Sequence, residues 1–108
     1  MKMIYCTCNV SVIEGLQELL DKCHVQDYQI IDQVIARNEK GEPRFNTPIW
    51  PGYNSIALMQ VSEEEKVRRV IMAIQEYNRS VITDDELITV CTWNLEECHF
   101  DASSGPLG

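Results

Sequence analysis

The sequence predicts an α+β fold in which a strand–helix–strand unit occurs twice and builds one four-stranded antiparallel sheet with two helices on one face, a βαββαβ arrangement. Two observations predict it. Each half contains an apolar strand, a Ser-x-x-Glu box that opens an amphipathic helix, and a second strand, and the boxes begin at Ser11 and Ser62. A long Pro/Gly/aromatic segment, Arg37–Ser55, separates the two halves.

The first half opens with a strand over Met3–Asn9, in which alternate residues such as Cys6 and Cys8 share one face. A helix is expected to start at Ser11, because Ser11 and Glu14 have the spacing of a capping box. One apolar stripe follows at helical spacing and must be buried. It consists of Val12, Ile13, Leu16, Leu19, Leu20 and Cys23.

The second strand, predicted over Asp27–Arg37, is apolar on both faces. Ile30 and Val34 lie on one face, and Ile31 and Ile35 lie on the other. Antiparallel sheets usually leave one face in water, so a strand of this kind indicates that something covers the second face. We expect another subunit to do so. The βαββαβ order places this strand on an edge of the sheet, where unpaired backbone groups invite association.

The second half repeats the pattern. A strand over Ser55–Val61 leads to a second box, Ser62 and Glu65, and a helix that should end near 78–80. A polar turn then precedes the last strand, Leu87–Leu95. The single domain is expected to cover residues 1–100, and the composition of 101–108 is that of a disordered tail or a cloning remnant.

The Arg37–Ser55 segment is the most distinctive part of the chain. It holds three of the four prolines. Loops of this length in small domains usually carry function, which predicts a projecting recognition loop. An aromatic plug that closes the core is the alternative. The candidate residues for binding an effector or partner are Arg37, Lys40, Arg44, Phe45, Trp50, Gly52, Tyr53 and Asn54.

Composition narrows the function classes. The net charge is −8, from 17 acidic and 9 basic residues, which argues against nonspecific nucleic-acid binding. No stretch approaches the roughly 20 apolar residues that span a bilayer, so the sequence predicts a cytoplasmic protein without membrane insertion. Five cysteines should then be reduced thiols. No nucleophile has a paired base, and we expect no enzymatic activity.

The element order resembles the PII-like superfamily, which includes nitrogen regulatory PII proteins and CutA-like proteins. The segments Gly41–Phe45 and Pro48–Ser55 resemble the variant loop of PII-like relatives, and the similarity covers roughly Met1–Leu95. It implies ferredoxin-like protomers that form a homotrimer, with effector sites in the clefts between subunits. It also implies that the loops regulate a partner, often a membrane transporter.

The sequence departs from the classical nucleotide site of that superfamily. Arg37 and Lys40 match its loop-base cations, but Ser80–Glu86 has neither the glycine nor the lysine of the classical turn. The segment Glu96–His99 has no arginine. The chain is therefore predicted to be a variant member in which the classical basic residues for adenine nucleotide are missing.

A metal-binding or metal-tolerance function of the CutA-like type is the second hypothesis. Cys98 and His99 are its first candidate ligands, and Cys6, Cys8 and Cys91 form a second set, because soft thiolates and imidazole bind Zn(II) or Cu(I). Buried cysteines also serve as small apolar residues. The effector therefore stays open between adenine nucleotide and a soft metal, and a ligand-free assembly module is a third hypothesis.

Overall fold

The structure, a computed structural model, describes residues 1–35 and 53–99. In these residues the strands form one antiparallel sheet in the order β2-β3-β1-β4. The predicted α+β fold is confirmed, with β1 and β3 at the centre and β2 on an edge. The elements are β1 (Lys2–Asn9), a first 3₁₀ turn (Val10–Val12), α1 (Ile13–Lys22), β2 (Gln29–Val34), β3 (Asn54–Val61), α2 (Glu64–Ser80), a second 3₁₀ turn (Asp84–Glu86) and β4 (Thr89–Asn94).

Both helices cover the same face of the sheet, and the core lies between them and the strands. Ile4 and Cys6 from β1 and Ala57 from β3 are completely buried there. Leu16 and Leu20 of α1 meet them in the same cluster. Burying a leucine or isoleucine side chain contributes about 1.5–3 kcal/mol, so this layer stabilises the protomer substantially. Three residues of α2 also belong to this core, namely Val67, Val70 and Ile74.

The start of α1 differs from the prediction, because Asn9 takes the capping role that we assigned to Ser11. The Asn9 Oδ1 accepts hydrogen bonds from the Ser11 backbone N–H at 2.9 Å and from the Ser11 hydroxyl at 2.8 Å. A 3₁₀ turn therefore comes first, and the α-helix begins only at Ile13 with no side-chain cap. The Ser11–Glu14 box is wrong because an acceptor two residues earlier satisfies the turn.

The second box is wrong as well. α2 begins at Glu64 with Glu63 at the N-cap position, and no side chain caps it. Glu63 instead pairs with Lys66, one turn further on, at 3.2 Å. The acidic residues of the first turn, Glu64 and Glu65, still lie where the helix dipole favours negative charge. The start of α2 is therefore stabilised by these carboxylates in the field of the helix dipole, and not by a hydrogen bond to the Ser62 hydroxyl.

α1 ends in a tight turn that sends the chain toward β2. His24 has a φ of 64°, the left-handed conformation usual just after a helix. Its N–H donates to the Asp21 carbonyl at 3.0 Å, and the Val25 N–H donates to the Leu20 carbonyl at 2.9 Å. These two bonds satisfy carbonyl groups that the helix end would otherwise leave unpaired.

The outer strands are shorter than predicted. β2 ends at Val34, where its register with β3 shifts between Ile31 and Val34, and β4 begins at Thr89 rather than Leu87. The end of the predicted second strand at Arg37 lies outside the described residues. So do six of the predicted loop residues, namely Arg37, Lys40, Arg44, Phe45, Trp50 and Gly52, and the predicted tail at 101–108.

The face of the sheet opposite the helices is called here the open face. Alternation along the strands and the pairing register assign its positions. Ile31 is 44% exposed and Trp93 is 47% exposed. The apolar side chains of this face are Met3, Tyr5, Ile31, Ile56, Leu58, Cys91 and Trp93.

Across residues 1–35 and 53–99, no helix combines the length and the apolar character that crossing a bilayer requires.

Candidate functional site

The candidate site is the end of the sheet where β1 stops and β3 begins. The two strands are antiparallel, so Asn9, the last residue of β1, lies opposite Asn54, the first residue of β3. The Val10 N–H donates to the Tyr53 carbonyl at 3.1 Å and joins the first 3₁₀ turn to the chain that returns from the long segment. We call this the loop-proximal end and define it by Asn9, Tyr53, Asn54 and Ser55.

Three polar side chains at this end are almost completely buried. Asn9, Asn54 and Ser55 are 2%, 3% and 1% exposed. Polar residues are rarely this buried unless hydrogen bonds satisfy them. The Ser55 hydroxyl donates to the Asp32 carbonyl at 2.5 Å and so ties β3 to the irregular end of β2. The loop-proximal end is therefore a polar, preorganised part of an otherwise apolar sheet.

The turn before β4 packs against β1 and is held by α2. The Asn78 side chain makes two bonds to Ile88, donating to its carbonyl at 2.8 Å and accepting from its N–H at 2.9 Å. The Tyr77 hydroxyl donates to the Glu86 carbonyl at 2.9 Å. Burial, helped by the Glu86 carboxylate and the Cys8 thiol, raises the pKa of Tyr77. The tyrosine is therefore a neutral donor at pH 7.

That turn gives the neighbourhood of the site an acidic character. Asp84, Asp85 and Glu86 follow one another in it. The Thr83 hydroxyl donates to the Glu86 carboxylate at 3.2 Å, which holds that carboxylate at the turn. Negative charge placed here opposes a polyphosphate. The three acidic side chains of this turn would therefore disfavour a phosphate group bound directly against it.

The structure does not bring the three predicted strand thiols to one point. Cys6 and Cys8 face the helices, whereas Cys91, which pairs with Tyr5, lies on the open face. Burial, with smaller contributions from Cys8 and Cys91, raises the pKa of Cys6 to about 12, and burial raises that of Cys8 to about 12. Both thiols are protonated at pH 7 and pack as apolar groups. The opposite directions of adjacent β residues explain why a shared metal site fails.

Cys98 and His99 also point to different partners. The Cys98 thiol donates to the Gln60 side-chain carbonyl at 3.7 Å. The His99 Nε2 lies 3.4 Å from a Glu97 carboxylate oxygen. No group of three His, Cys, Asp or Glu side chains in the described ranges could hold a metal ion. Within one protomer the histidine and carboxylate form a pair, and the thiol stands apart.

Two of the predicted loop residues are described. Tyr53 is half-buried and gives its carbonyl to Val10, and Asn54 is buried at the start of β3. Sequence reasoning missed Asn9 and Ser55. Asn9 does carry a signal, because an asparagine between an apolar strand and a helix is a preferred cap residue. The Ser-x-x-Glu spacing that follows it predicts a cap at Ser11 instead, so the two signals compete.

A groove of about 400 Å³ lies at the opposite end of the sheet. Its walls come from the starts of β1 and β2 and the end of β3, and Met3, Leu58 and Gln60 connect it to the open face. Three glutamines, Gln26, Gln29 and Gln60, make it rich in amide groups. Any molecule that covers the open face at this end would also border this groove.

Solved structures with the same fold were found, at low sequence identity. A protein of Thermus thermophilus, described as a candidate PII-like signalling protein, is 19% identical, with a TM-score of 0.65 over 87% of this chain and 85% of its own. CPII from Thiomonas intermedia bound to ADP and bicarbonate is 16% identical, with a TM-score of 0.62 over 85% and 84% of the two chains.

The apo form of the Thiomonas protein, a nitrogen regulatory PII-like protein, is 20% identical, with a TM-score of 0.53 over 85% of this chain and 87% of that one. No protein-family model matches the sequence, and no curated protein matches it. The chain thus has the fold of PII-like signalling proteins, which confirms the resemblance predicted from its element order at the level of the fold.

Proposed function

We propose that the protein is a cytoplasmic homotrimeric sensor that binds a small effector in the clefts between subunits. It signals through the 37–55 segment to a partner protein such as a membrane transporter. Its role is regulatory rather than catalytic. Support comes from the PII-like fold, from the relative that is described as bound to ADP, and from one property of the open face.

That property is the absence of charge. The open-face positions of β1, β3 and β4 carry no Asp, Glu, Lys or Arg, although 24% of the chain is charged. These positions are Met3, Tyr5, Thr7, Asn9, Asn54, Ile56, Leu58, Gln60, Thr89, Cys91 and Trp93.

Copies with a net charge of −8 repel one another, so association is favoured at a surface that brings no further acidic groups together. An apolar sheet face without charges meets that requirement. An exposed apolar patch of several hundred Å² is also typical of protein interfaces, and stable ones bury about 800 Å² per partner. The open face is therefore the proposed subunit interface.

The proposed effector is an adenine nucleotide held near the loop-proximal end. The acidic turn cannot supply the cationic contacts of a classical site. Arg37 and Lys40, with the adjoining subunit, are the proposed sources of positive charge. The partner is reached by the remaining loop residues, among them Arg44, Phe45 and Trp50, whose guanidinium and rings can stack.

Native mass spectrometry tests the assembly directly. We expect the wild-type chain at micromolar concentration to be a trimer that takes up three ADP molecules. Leu58→Asp places a charge in the open face and should give monomers. Met72→Asp is the matched control, because Met72 is 59% exposed on α2, away from that face, and should leave the trimer intact. A wild-type monomer would contradict the proposal.

The metal-binding alternative retains support from the contact between His99 and Glu97. Three copies in a trimer would supply three such pairs and three Cys98 thiols. In that case the trimer would retain Zn(II) or Cu(I), and Cys98→Ser combined with His99→Ala would abolish stoichiometric uptake. Unchanged uptake by the double variant would discard this site.

A further inference from the structure

The side-chain amide of Asn9 has a fixed orientation. Its Oδ1 already accepts two hydrogen bonds, from the backbone N–H and the hydroxyl of Ser11. A backbone N–H can only donate, so the oxygen must face Ser11 and the amide nitrogen must face away. Turning the amide over would place two donors against each other. The position of Nδ2 therefore follows from the hydrogen bonds of this residue.

Nδ2 itself has no hydrogen-bond partner in the described part of the chain, although Asn9 is only 2% exposed. An unsatisfied buried donor costs about 1–3 kcal/mol. Capping the 3₁₀ turn needs an acceptor alone, and an ionised aspartate would provide one without a spare donor. An asparagine that only capped the turn would leave a buried donor unsatisfied. The residue is better suited to a position where the side chain must both cap the turn and donate a hydrogen bond to another molecule.

The surroundings decide what kind of atom this donor can serve. Ser11, its hydrogen-bond partner, and Asn54, its partner across the strands, are uncharged. The turn that packs against β1 is Asp84–Glu86, which carries negative charge. A buried anion without a cation beside it is unfavourable, and an acidic turn adds repulsion. An uncharged acceptor, such as a ring nitrogen or a carbonyl oxygen, avoids both costs.

We infer that Nδ2 of Asn9 donates a hydrogen bond to the base of a nucleoside-type effector, so that the base, and not the phosphates, lies at the buried end of β1. This inference rests on the proposed function for the nature of the effector, and it adds the binding residue and the direction of the ligand. Because the Asn9 Oδ1 already accepts two hydrogen bonds from Ser11, the side chain can donate to an acceptor atom of the base but cannot accept a hydrogen bond from an amino group of the base.

Asn9→Asp provides the test, because it keeps the acceptor that caps Ser11 and removes the donor. Isothermal titration of the full chain with adenosine and with ADP should show both affinities reduced by about tenfold or more, with ADP weakened at least as much as adenosine because the new carboxylate also repels phosphate. Asn9→Ser keeps a capping hydroxyl, adds no charge and is too short to reach the position of Nδ2, so it should weaken adenosine and ADP by the same factor. Asn94→Asp makes the same chemical change at the other end of β1, where Asn94 is exposed, and should bind as wild type.

NMR gives a second measurement that does not depend on affinity. The side-chain amide signals that disappear in Asn9→Asp belong to Asn9, and in the wild-type protein they should shift when adenosine is added. A loss of ADP affinity with unchanged adenosine affinity would mean that Asn9 contacts a phosphate, and would overturn the inference. So would a wild-type chain that binds neither probe. The proposed homotrimer is tested independently of this inference, by the native mass spectrometry described above.

Discussion

The two faces of the sheet are built from the same strands but differ in solvent exposure. On β1, Ile4 and Cys6 face the helices and are completely buried, whereas Met3 and Tyr5, which alternate with them, face outward and keep part of their surface in water. On β4 the same alternation leaves Trp93 47% exposed. The covered face holds one protomer together. On β1, β3 and β4 the open face carries no charged residue, and apart from Asn9 and Asn54, which are buried at its loop-proximal end, no second layer of the described residues covers it.

This difference shows that apolar character alone does not define a core. A residue contributes to the stability of the protomer only where a second layer removes it from water. The open face has the composition of a buried surface and the accessibility of an exposed one, which is the combination found at subunit interfaces. The following predictions test whether the two faces have separate roles.

The largest effect is expected from a matched pair of isoleucines on opposite faces. Ile4→Ala should lower the free energy of unfolding by about 2–5 kcal/mol, because Ile4 is completely buried and its removal leaves a cavity. Ile31→Ala should cost much less in an isolated protomer, because Ile31 is already 44% exposed.

Chemical denaturation at two protein concentrations distinguishes the pair. The loss of unfolding free energy in Ile4→Ala should be the same at both concentrations. Ile31→Ala should instead reduce the contribution of subunit association, which raises the apparent stability as the protein concentration rises. Equal losses that do not depend on concentration would mean that both faces stabilise the protomer alone.

An intermediate effect is expected at alkaline pH. Burial raises the pKa of Cys6 and Cys8 from 9.0 to about 12. Between these values the unfolded chain releases protons that the folded chain keeps, so stability is complete below pH 9 and falls as pH rises toward 12. Urea unfolding at pH 8 and pH 10.5 should show this fall. A Cys6→Ala, Cys8→Ala variant, although less stable at pH 8, should show a shallower one. An equal slope in the variant would assign the effect to other groups.

The last prediction concerns the reactivity of the cysteines on the two faces and involves the smallest expected effect on stability. In the monomeric Leu58→Asp variant, iodoacetamide should modify the exposed Cys91 while Cys6 and Cys8 stay unmodified until the chain unfolds. In wild-type protein, a trimer built through the open face should protect Cys91 as well. Peptide mass spectrometry gives the extent at each position. Rapid labelling of Cys91 in an intact trimer would move the interface elsewhere.

Several features were determined by the sequence alone. Alternation in Met3–Asn9 predicted which residues of β1 share a face, and the helical stripe from Val12 to Cys23 predicted the buried side of α1, because period 2 and period 3.6 are fixed by backbone geometry. The doubled unit predicted the strand order. The apolar second face of β2 predicted that another subunit covers it, and in the protomer Ile31 on that face is 44% exposed.

Other features depended on tertiary structure. Capping depends on which acceptor the folded backbone brings to the turn, so Asn9 displaced Ser11 although both positions were visible in the sequence. Whether thiols converge depends on side-chain direction across paired strands, so Cys91 separated from Cys6 and Cys8. The spare donor on Asn9 emerges only when strand pairing buries the residue and Ser11 occupies its oxygen. Hydrogen-bond satisfaction is a property of the folded surroundings, and spacing along the chain does not encode it.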